Sequence, residues 1–500
     1  MTIYLLSRSQ KSARRLAQMA RVSPYSESLR LAEDDTVLRY GQSGPPDPPG
    51  VHVLNRQSAI QATVSKPSMA KFLRRVGVRF VLPVRKSGDD ASRRFVRQYR
   101  VPVFDHRVLA CFKYEGTEPW TNGRISRLPV TSSEVNVEDD PVAKRAGWLA
   151  CRAIHALGLD YGLVSLGLGP KGVLHVLDVT ARPVLEGRLL ELFAAAVDDY
   201  ADRASDLRSL PVTSVTLGTD IEIMLQNEQG KMVLASRYLT RRGRVGCDDR
   251  SVQYDGKRLP LMELRPDPDS SPAGLYVNLR TTMLEAARKV NRAGVAWRAG
   301  STPFPGYSTG GHIHISGVPI SSRLVRALDA YLGLPLMAVE NPQTSRRRRP
   351  RYGFLGDVRE KSHGGFEYRT PASFVVNPEI TLTSFCLAQL ICLYYQDLPE
   401  MWLYDPPLQT AFYTGDVSAL ADVLQESCQA MRGVPLYRRY EDQIEPLYQM
   451  IAEGQMWDES VDVRDVWAVP KVVPTEKQRT RSSRSIGRRT RRTSSVTARG

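Results

Sequence analysis

The stretch that most constrains the fold is Gly310-Gly311-His312-Ile313-His314-Ile315-Ser316. Polar and apolar residues alternate strictly, so a β-strand here presents His312 and His314 on one face and Ile313 and Ile315 on the other. Three other segments share the pattern: Thr219-Asp220-Ile221-Glu222-Ile223, Met262-Glu263-Leu264-Arg265-Pro266 and Phe366-Glu367-Tyr368-Arg369-Thr370. Four such strands predict one sheet with an apolar back and a face of Glu, His and Arg, where the chemistry is expected. Carboxylates are disfavoured in strands. Asp220, Glu222, Glu263 and Glu367, converging there with imidazoles, therefore predict a divalent cation held by oxygen ligands. The neighbouring arginines suit phosphate or carboxylate, which they grip bidentately.

Five hundred residues, 42% of them hydrophobic, suggest about three domains with substantial cores. The six cysteines are scattered and form no Cys-x-x-Cys, and the N-terminus turns polar too early for a signal sequence. Both features predict reduced thiols in a cytoplasmic protein. The longest apolar helical stretch, Leu382 to Tyr395, is too short to span a bilayer, so no membrane partner is expected. Of the net charge of +16, the segment from Lys471 to Gly500 carries +9, with ten Lys/Arg against one acid. A basic excess confined to a Ser/Thr/Arg-rich tail argues against a nucleic-acid-binding core and leaves only weak contact through that tail.

Along the chain, residues 1 to about 205 read as α/β. Tyr4-Leu5-Leu6 and Val51-His52-Val53-Leu54 are short buried strands, Gln42 to Gly50 is a Pro-rich loop, and Ser58 to Arg75 is helical with a break at Pro67. Asn55 to Lys66, Phe72 to Val78, the strands Tyr99 to Val103 and Val108 to Ala110, Leu157-Gly158-Leu159-Asp160, and Val176 to Pro183 resemble pieces of an ATP-grasp domain. The likeness is incomplete. The nucleotide-gripping segment is cut to about Arg85 to Gln98, the usual Glu and Asn metal pair is Asp178 and Thr180, and an expected acid is Ser165. Phosphate binding needs amides and metal acids together, so this half reads as an eroded, degenerate scaffold or a substrate-docking domain. Past a polar junction at Ser205 to Pro211, strands are expected at Ser214 to Leu225, Met232 to Ser236, Leu259 to Arg265, Val295 to Arg298, Gly311 to Gly317 and Gly365 to Thr370. Helices are expected at Pro272 to Ala293, Ser321 to Glu340, Pro378 to Tyr395, Val417 to Met431 and Tyr440 to Ala452. Ser271-Pro272 and Asn377-Pro378 are good helix starts. Lys471 to Gly500 is low-complexity and reads as disordered.

Taken alone, His-x-His on a strand is compatible with zinc, but the sequence shows neither a cysteine cluster nor His-Glu-x-x-His to complete a zinc set. The run Arg346 to Arg351 reads either as a mobile phosphate or substrate clamp or as a solvated basic loop.

In order, Asp-x-Glu, Glu-x-Arg-Pro, Gly-Gly-His-x-His, an Arg and Glu-Tyr-Arg-x-Pro resemble the glutamine synthetase and glutamate–cysteine ligase superfamily, and more narrowly the phage-type carboxylate–amine ligases (type 2). The resemblance covers Val212 to Phe374 strongly. It implies an α+β fold, with an antiparallel sheet backed by helices on one side, over 209–468. The ATP-grasp-like region would precede it over 1–208, and the basic tail would follow over 469–500. It implies ATP and Mg2+ as cofactors, with Glu222, Glu263, His312 and Glu367 as metal ligands and His314 beside the nucleotide phosphates. Arg369 would stabilise the transferring phosphoryl group, and Arg265 and Arg359 would contact phosphate or substrate. Asp220 is open, and a role as proton acceptor from the amine is considered. The partners implied are small-molecule or peptide carboxylates and amines, with homo-oligomers common among relatives. The activity implied is amide formation through an acyl phosphate. Readings of another class are a non-catalytic scaffold with both modules degenerate, and a metal-dependent hydrolase.

Overall fold

The computed structural model describes residues 1–7, 10–82, 95–114, 132–206, 215–361 and 364–473. Four features read from sequence fall outside these residues: the tail from 474 onward, His363, most of the shortened segment after Arg85, and the junction at 207–211.

Three sheets account for the strands. Pro-rich and polar punctuation limits the first to short strands, β1 (Ile3–Leu6), β2 (Ser23–Pro24), β3 (Thr36–Arg39) and β4 (His52–Leu54), all parallel in the order β2-β1-β3-β4. The second sheet is antiparallel. It comprises β5 (Arg97–Phe104), β6 (Arg107–Val108), β7 (Cys111–Tyr114), β8 (Ser133–Val135), β9 (Tyr161–Leu168) and β10 (Leu174–Thr180). The expected strand Val108 to Ala110 is split, because the chain turns at Leu109 and Ala110 to pass from β6 to β7. The helical stretch after β4 breaks at Thr63 to Ser65, and Pro67 falls in the first turn of the next helix, where its missing N–H costs nothing.

The third sheet is antiparallel and comprises β11 (Thr216–Asn227), β12 (Met232–Val233), β13 (Val245–Cys247), β14 (Leu261–Leu264), β15 (Val295–Arg298), β16 (Gly311–Ser316), β17 (Val358–Glu360) and β18 (Phe366–Tyr368). Its order is β13-β14-β11-β16-β18-β17, with β12 and β15 also on β11. Together the sheets and helices make an α+β fold. The expected strand Met232 to Ser236 stops after two residues, giving way to a 3-10 turn at Ala235–Arg237. The back of the sheet is apolar and sealed: Ile221, Ile223, Leu264, Ile313 and Ile315 are fully buried. Helices Pro272–Lys289 and Pro378–Tyr394 each begin with Pro in the first turn, capped by Ser271 Oγ on Gly274 N–H and by Asn377 Oδ1 on the N–H of Glu379 and Ile380.

The sequence reads as two halves, but one hydrophobic cluster runs through both. It joins the second sheet and helix Pro141–Ala156 (Tyr99, Val101, Ala150, Ile154, Val176) to the third sheet and its helices. Buried polar ties cross the same boundary: Arg326 reaches Asp160 at 2.7 Å, and the backbone N–H of Ser322 donates to Asp105 at 2.8 Å.

The basic run Arg346 to Arg351 is divided between surface and core. It closes helix Pro342–Arg348, and only Arg346, Arg347 and Arg351 are exposed. Arg348 is buried and donates to the carbonyls of Thr370, Arg369 and Pro371, while buried Arg349 pairs with Glu340 at 2.6 Å. Arg348 ties the loop after β18 into the core, and Arg349 joins its own helix to Glu340 and to the carbonyl of Phe412.

Candidate active site

Register explains how four distant pieces of chain build one polar surface. Across the third sheet Asp220 lies opposite His312, Glu222 opposite Glu263, His314 opposite Glu367, and Glu367 opposite Arg359. Period-two alternation then keeps these side chains on one face, away from the isoleucines. The two glycines before His312 are required by close approach. A Cβ on Gly310 would stand 2.3 Å from His312 Nε2, and one on Gly311 2.6 Å from the Phe374 ring.

Glu367 is the centre of charge. Its fully buried carboxylate meets Arg359 Nε at 3.0 Å, Lys361 Nζ at 2.7 Å, Arg369 Nε at 3.1 Å and His312 Nδ1 at 3.1 Å. Burial would raise its pKa, but the hydrogen bond and charge of His312, with Arg359, hold it well below the usual carboxylate range. His312 Nδ1 also lies 2.9 Å from Asp220 Oδ1, and His314 Nε2 lies 3.2 Å from the same oxygen. For Asp220, too, burial pushes upward, and the two imidazoles overcome it and hold the carboxylate well below its ordinary value. Burial alone would lower the pKa of His312, but Asp220, Glu367 and Glu222 lift it to about 10. Glu222 accepts from Gly310 N–H at 2.9 Å and from Arg250, which also donates to Asp248 at 2.7 Å and to the Ser308 carbonyl at 2.8 Å. Glu263, salt-bridged to Arg265, is driven up to about 8 by burial and then by the negative charge of Asp220, only partly offset by Arg265.

Three of the groups singled out in the sequence are engaged by protein partners. Asp220 is a poor proton acceptor at neutral pH, because a base works best with its pKa near the working pH. His312 sits between two carboxylates, with Nδ1 2.9 Å from Asp220 and 3.1 Å from Glu367. Arg265 turns onto Glu263 and the carbonyls of Gly243 and Cys247, so its donors serve the protein before any phosphate.

Among the described residues, Asp220, His314 and Glu367 form one group whose ligand atoms all lie within 4.8 Å of one another. This trio shares only Glu367 with the expected set of Glu222, Glu263, His312 and Glu367. Its donors, two carboxylates and an imidazole, fit a divalent cation. Glu222, Glu263 and Asp248 crowd beside it, each already paired with Arg250 or Arg265.

The face opens on a cavity of about 630 Å³ whose walls include Asp220, Glu222, Glu263, His312, Arg359 and Arg369. Three wall residues carried no sequence signal of their own. Asp248 and Arg250 follow a three-residue strand too short to show periodicity. Lys144 arrives from helix Pro141–Ala156 of the N-terminal half. The charged run Asp248-Asp249-Arg250 directly after Val245-Gly246-Cys247 was the available hint.

The family model described as phage phiEco32-like COOH.NH2 ligase-type 2 matches residues 217–469. No curated protein matches the chain. Among solved structures, the ATP-grasp ligase PsnB, complexed with precursor peptide PsnA2 and AMPPNP, is 13% identical, with 41% of this chain and 97% of that one covered and a TM-score of 0.28. A bifunctional glutathione synthetase from Pasteurella multocida is 11% identical over 53% of each chain, TM-score 0.31. The complex of prokaryotic ubiquitin-like protein Pup with its ligase PafA gives 13% identity over 56% of this chain and 70% of that one, TM-score 0.32.

Proposed function

The chain belongs to the phage phiEco32-like COOH.NH2 ligase-type 2 family, and on that premise we propose that it joins a carboxylate to an amine at the expense of ATP, through an acyl phosphate. The observation that carries this reading is the convergence of Glu367, Asp220 and both histidines with Arg359, Lys361 and Arg369 on one sheet face, beside a cavity of about 630 Å³. Acids and fixed cations facing one cavity are what transfer of a charged phosphoryl group demands. We read 209–468 as the ligase unit, of glutamine synthetase and glutamate–cysteine ligase type, and 1–208 as an ATP-grasp-like scaffold.

In this reading a substrate carboxylate oxygen attacks the γ-phosphorus of ATP, the bond to the bridging oxygen breaks, and ADP departs. An amine nitrogen then attacks the acyl carbon, the carbon–oxygen bond to phosphate breaks, the surplus proton on nitrogen leaves with the phosphate, and an amide remains. Asp220, His314 and Glu367 would hold Mg2+, which when bound offsets phosphate charge and orients the γ-phosphoryl group. Arg369, anchored beside Glu367 and lining the cavity, would offer its guanidinium to a phosphoryl oxygen. Arg359, more than half exposed, extends the same cationic rim. Glu222 and Glu263 prolong the acidic strip and face the cavity.

The test is release of ADP from ATP and Mg2+ in the presence of a panel of acids and amines. Arg369→Ala should lower the rate by about a hundredfold or more, as removal of a transition-state donor does. Equal rates in the variant and the parent would sink the assignment. The histidine in the metal trio also suits zinc, so metal analysis belongs in the same experiment: stoichiometric zinc with ATP-independent hydrolysis would favour the hydrolase reading.

A further inference from the structure

A second cavity, of about 730 Å³, lies between the two halves. Its walls come from the β5–β6 turn, the segment after β8 and helix Pro141–Ala156 on one side, and from Ile320 and β17 on the other. It is not separate from the polar cleft, because Lys144, Arg359, Glu360 and Lys361 line both. The two spaces therefore meet at a rim carrying three cations and one acid.

The groove differs in chemistry from the cleft. Val108, Val137, Ile320 and Val358 supply apolar wall, and Trp148 stands 41% exposed within it. That indole is held in place: its ring meets Phe354 edge-on at 5.6 Å, and Arg152 lies 3.6 Å over Phe354 and 5.8 Å from Trp148. An ordered, exposed aromatic in a concave apolar wall is a recognition feature, since it can bury area without losing side-chain freedom on binding.

We infer that this groove binds the body of the carboxylate substrate, and that this body is an apolar, peptide-like chain rather than a free small amino acid. The inference rests on the ligase reading above. Continuity with the cleft lets one elongated molecule lie in the groove while its acid end crosses the rim. Along the groove and its rim Arg107, Lys144, Arg152, Arg359 and Lys361 outnumber Glu360 and Glu138, the latter paired with Lys144, so the end that crosses is the anionic one. An amine arriving by the same route would meet net repulsion. A free amino acid would leave the 730 Å³ groove and Trp148 unused. The N-terminal half then contributes substrate recognition through helix Pro141–Ala156.

The test uses the full-length chain, with binding measured by calorimetry in the presence of Mg2+ and a non-hydrolysable ATP analogue. The probes are N-acetyl-Phe-Val-Glu, free glutamate, and Phe-Val-amide, which has an amine and no carboxylate. The acetylated peptide should bind at least about tenfold tighter than glutamate, the effect of burying one large apolar side chain. Val137→Trp, a half-buried turn residue enlarged into the groove, should abolish that preference, and Trp148→Ala should weaken it. Affinity for the ATP analogue should stay unchanged in both variants. Equal affinity for peptide and glutamate, tighter binding of the amide, or a preference that survives both variants would overturn the inference. Failure of the parent protein to bind the ATP analogue would instead count against the ligase reading, while the peptide preference still decides the groove.

Discussion

His155 Nε2 lies 2.8 Å from Asp329 Oδ2, joining helix Pro141–Ala156 of the N-terminal half to the helix that begins at Ser322. Asp329 also accepts from Tyr368 OH at 2.9 Å, Gly356 N–H at 3.0 Å and Tyr404 OH at 3.1 Å. It opens a π-helical segment, Asp329–Gly333, of the kind that often marks a functional position. Tyr368 neighbours Glu367, and Gly356 leads into the strand that carries Arg359.

Asp329→Ala removes the common acceptor of four donors, three of them buried side chains. Breaking such a buried polar cluster costs about 3–5 kcal/mol, so the urea midpoint should fall accordingly. A loss under about 1 kcal/mol would show that the cluster is not a structural tie.

Divalent cation should stabilise the protein through the site. At about a hundred times its Kd, a ligand that binds only the native state adds about 2.7 kcal/mol, so Tm should rise when Mg2+ is added and fall back with a chelator. Glu367→Gln should lose this increment whatever its own starting Tm, because one ligand is gone and His312, Arg359, Lys361 and Arg369 are left uncompensated. An undiminished Mg2+ increment in that variant would place the ion elsewhere.

Acid should expose a second dependence, far from the cleft. Burial would raise the pKa of Glu400, but His52, Arg326 and Arg56 overcome it and hold the group well below its ordinary value. A carboxylate depressed in the folded state contributes stability above its unfolded pKa of about 4.3 and loses it as pH falls through the folded value. Urea midpoints should therefore drop below about pH 4. Glu400→Gln should be less stable than the parent at pH 7, with the difference shrinking as pH falls. A difference that stays constant from pH 7 to 3 would contradict this.

Arg348→Ala and Arg351→Ala separate structure from surface within one basic run. Arg348 satisfies three carbonyls in the core, and unsatisfied buried acceptors cost about 1–3 kcal/mol each. Arg351 is exposed, and its loss should stay within about 0.5 kcal/mol. Equal effects on thermal unfolding would count against the burial that separates them.

Much of the sheet was legible because a period of two leaves little choice: once Ile313 and Ile315 are buried, His312 and His314 must face the other way. The Pro-initiated helices at Pro272 and Pro378 were legible for a similarly local reason. Less was visible where the cause is tertiary. Val245–Cys247 and Val358–Glu360 are three-residue strands, too short for any pattern, and exist because a longer neighbour pairs with them. The burial of Arg348 depends on carbonyls that come more than twenty residues later. Asp329 follows Arg323 and Arg326 along one helix, where nothing local distinguishes an acid with four donors from one facing water. The balance at Asp220 and His312 arises from charges brought in by separate strands, so sequence could name the groups but not which of them holds the proton.

The single hydrophobic cluster running through both halves restricts how this chain can be shortened. Excising 209–468 would turn the seam against Tyr99, Ile154 and Val176 outward, creating a sticky flank on the piece that carries the acids and arginines. Gene fusions, truncations and expression fragments built on the family boundary alone should therefore aggregate. The N-terminal half would then be retained for its packing against the third sheet's helices, whatever else it does.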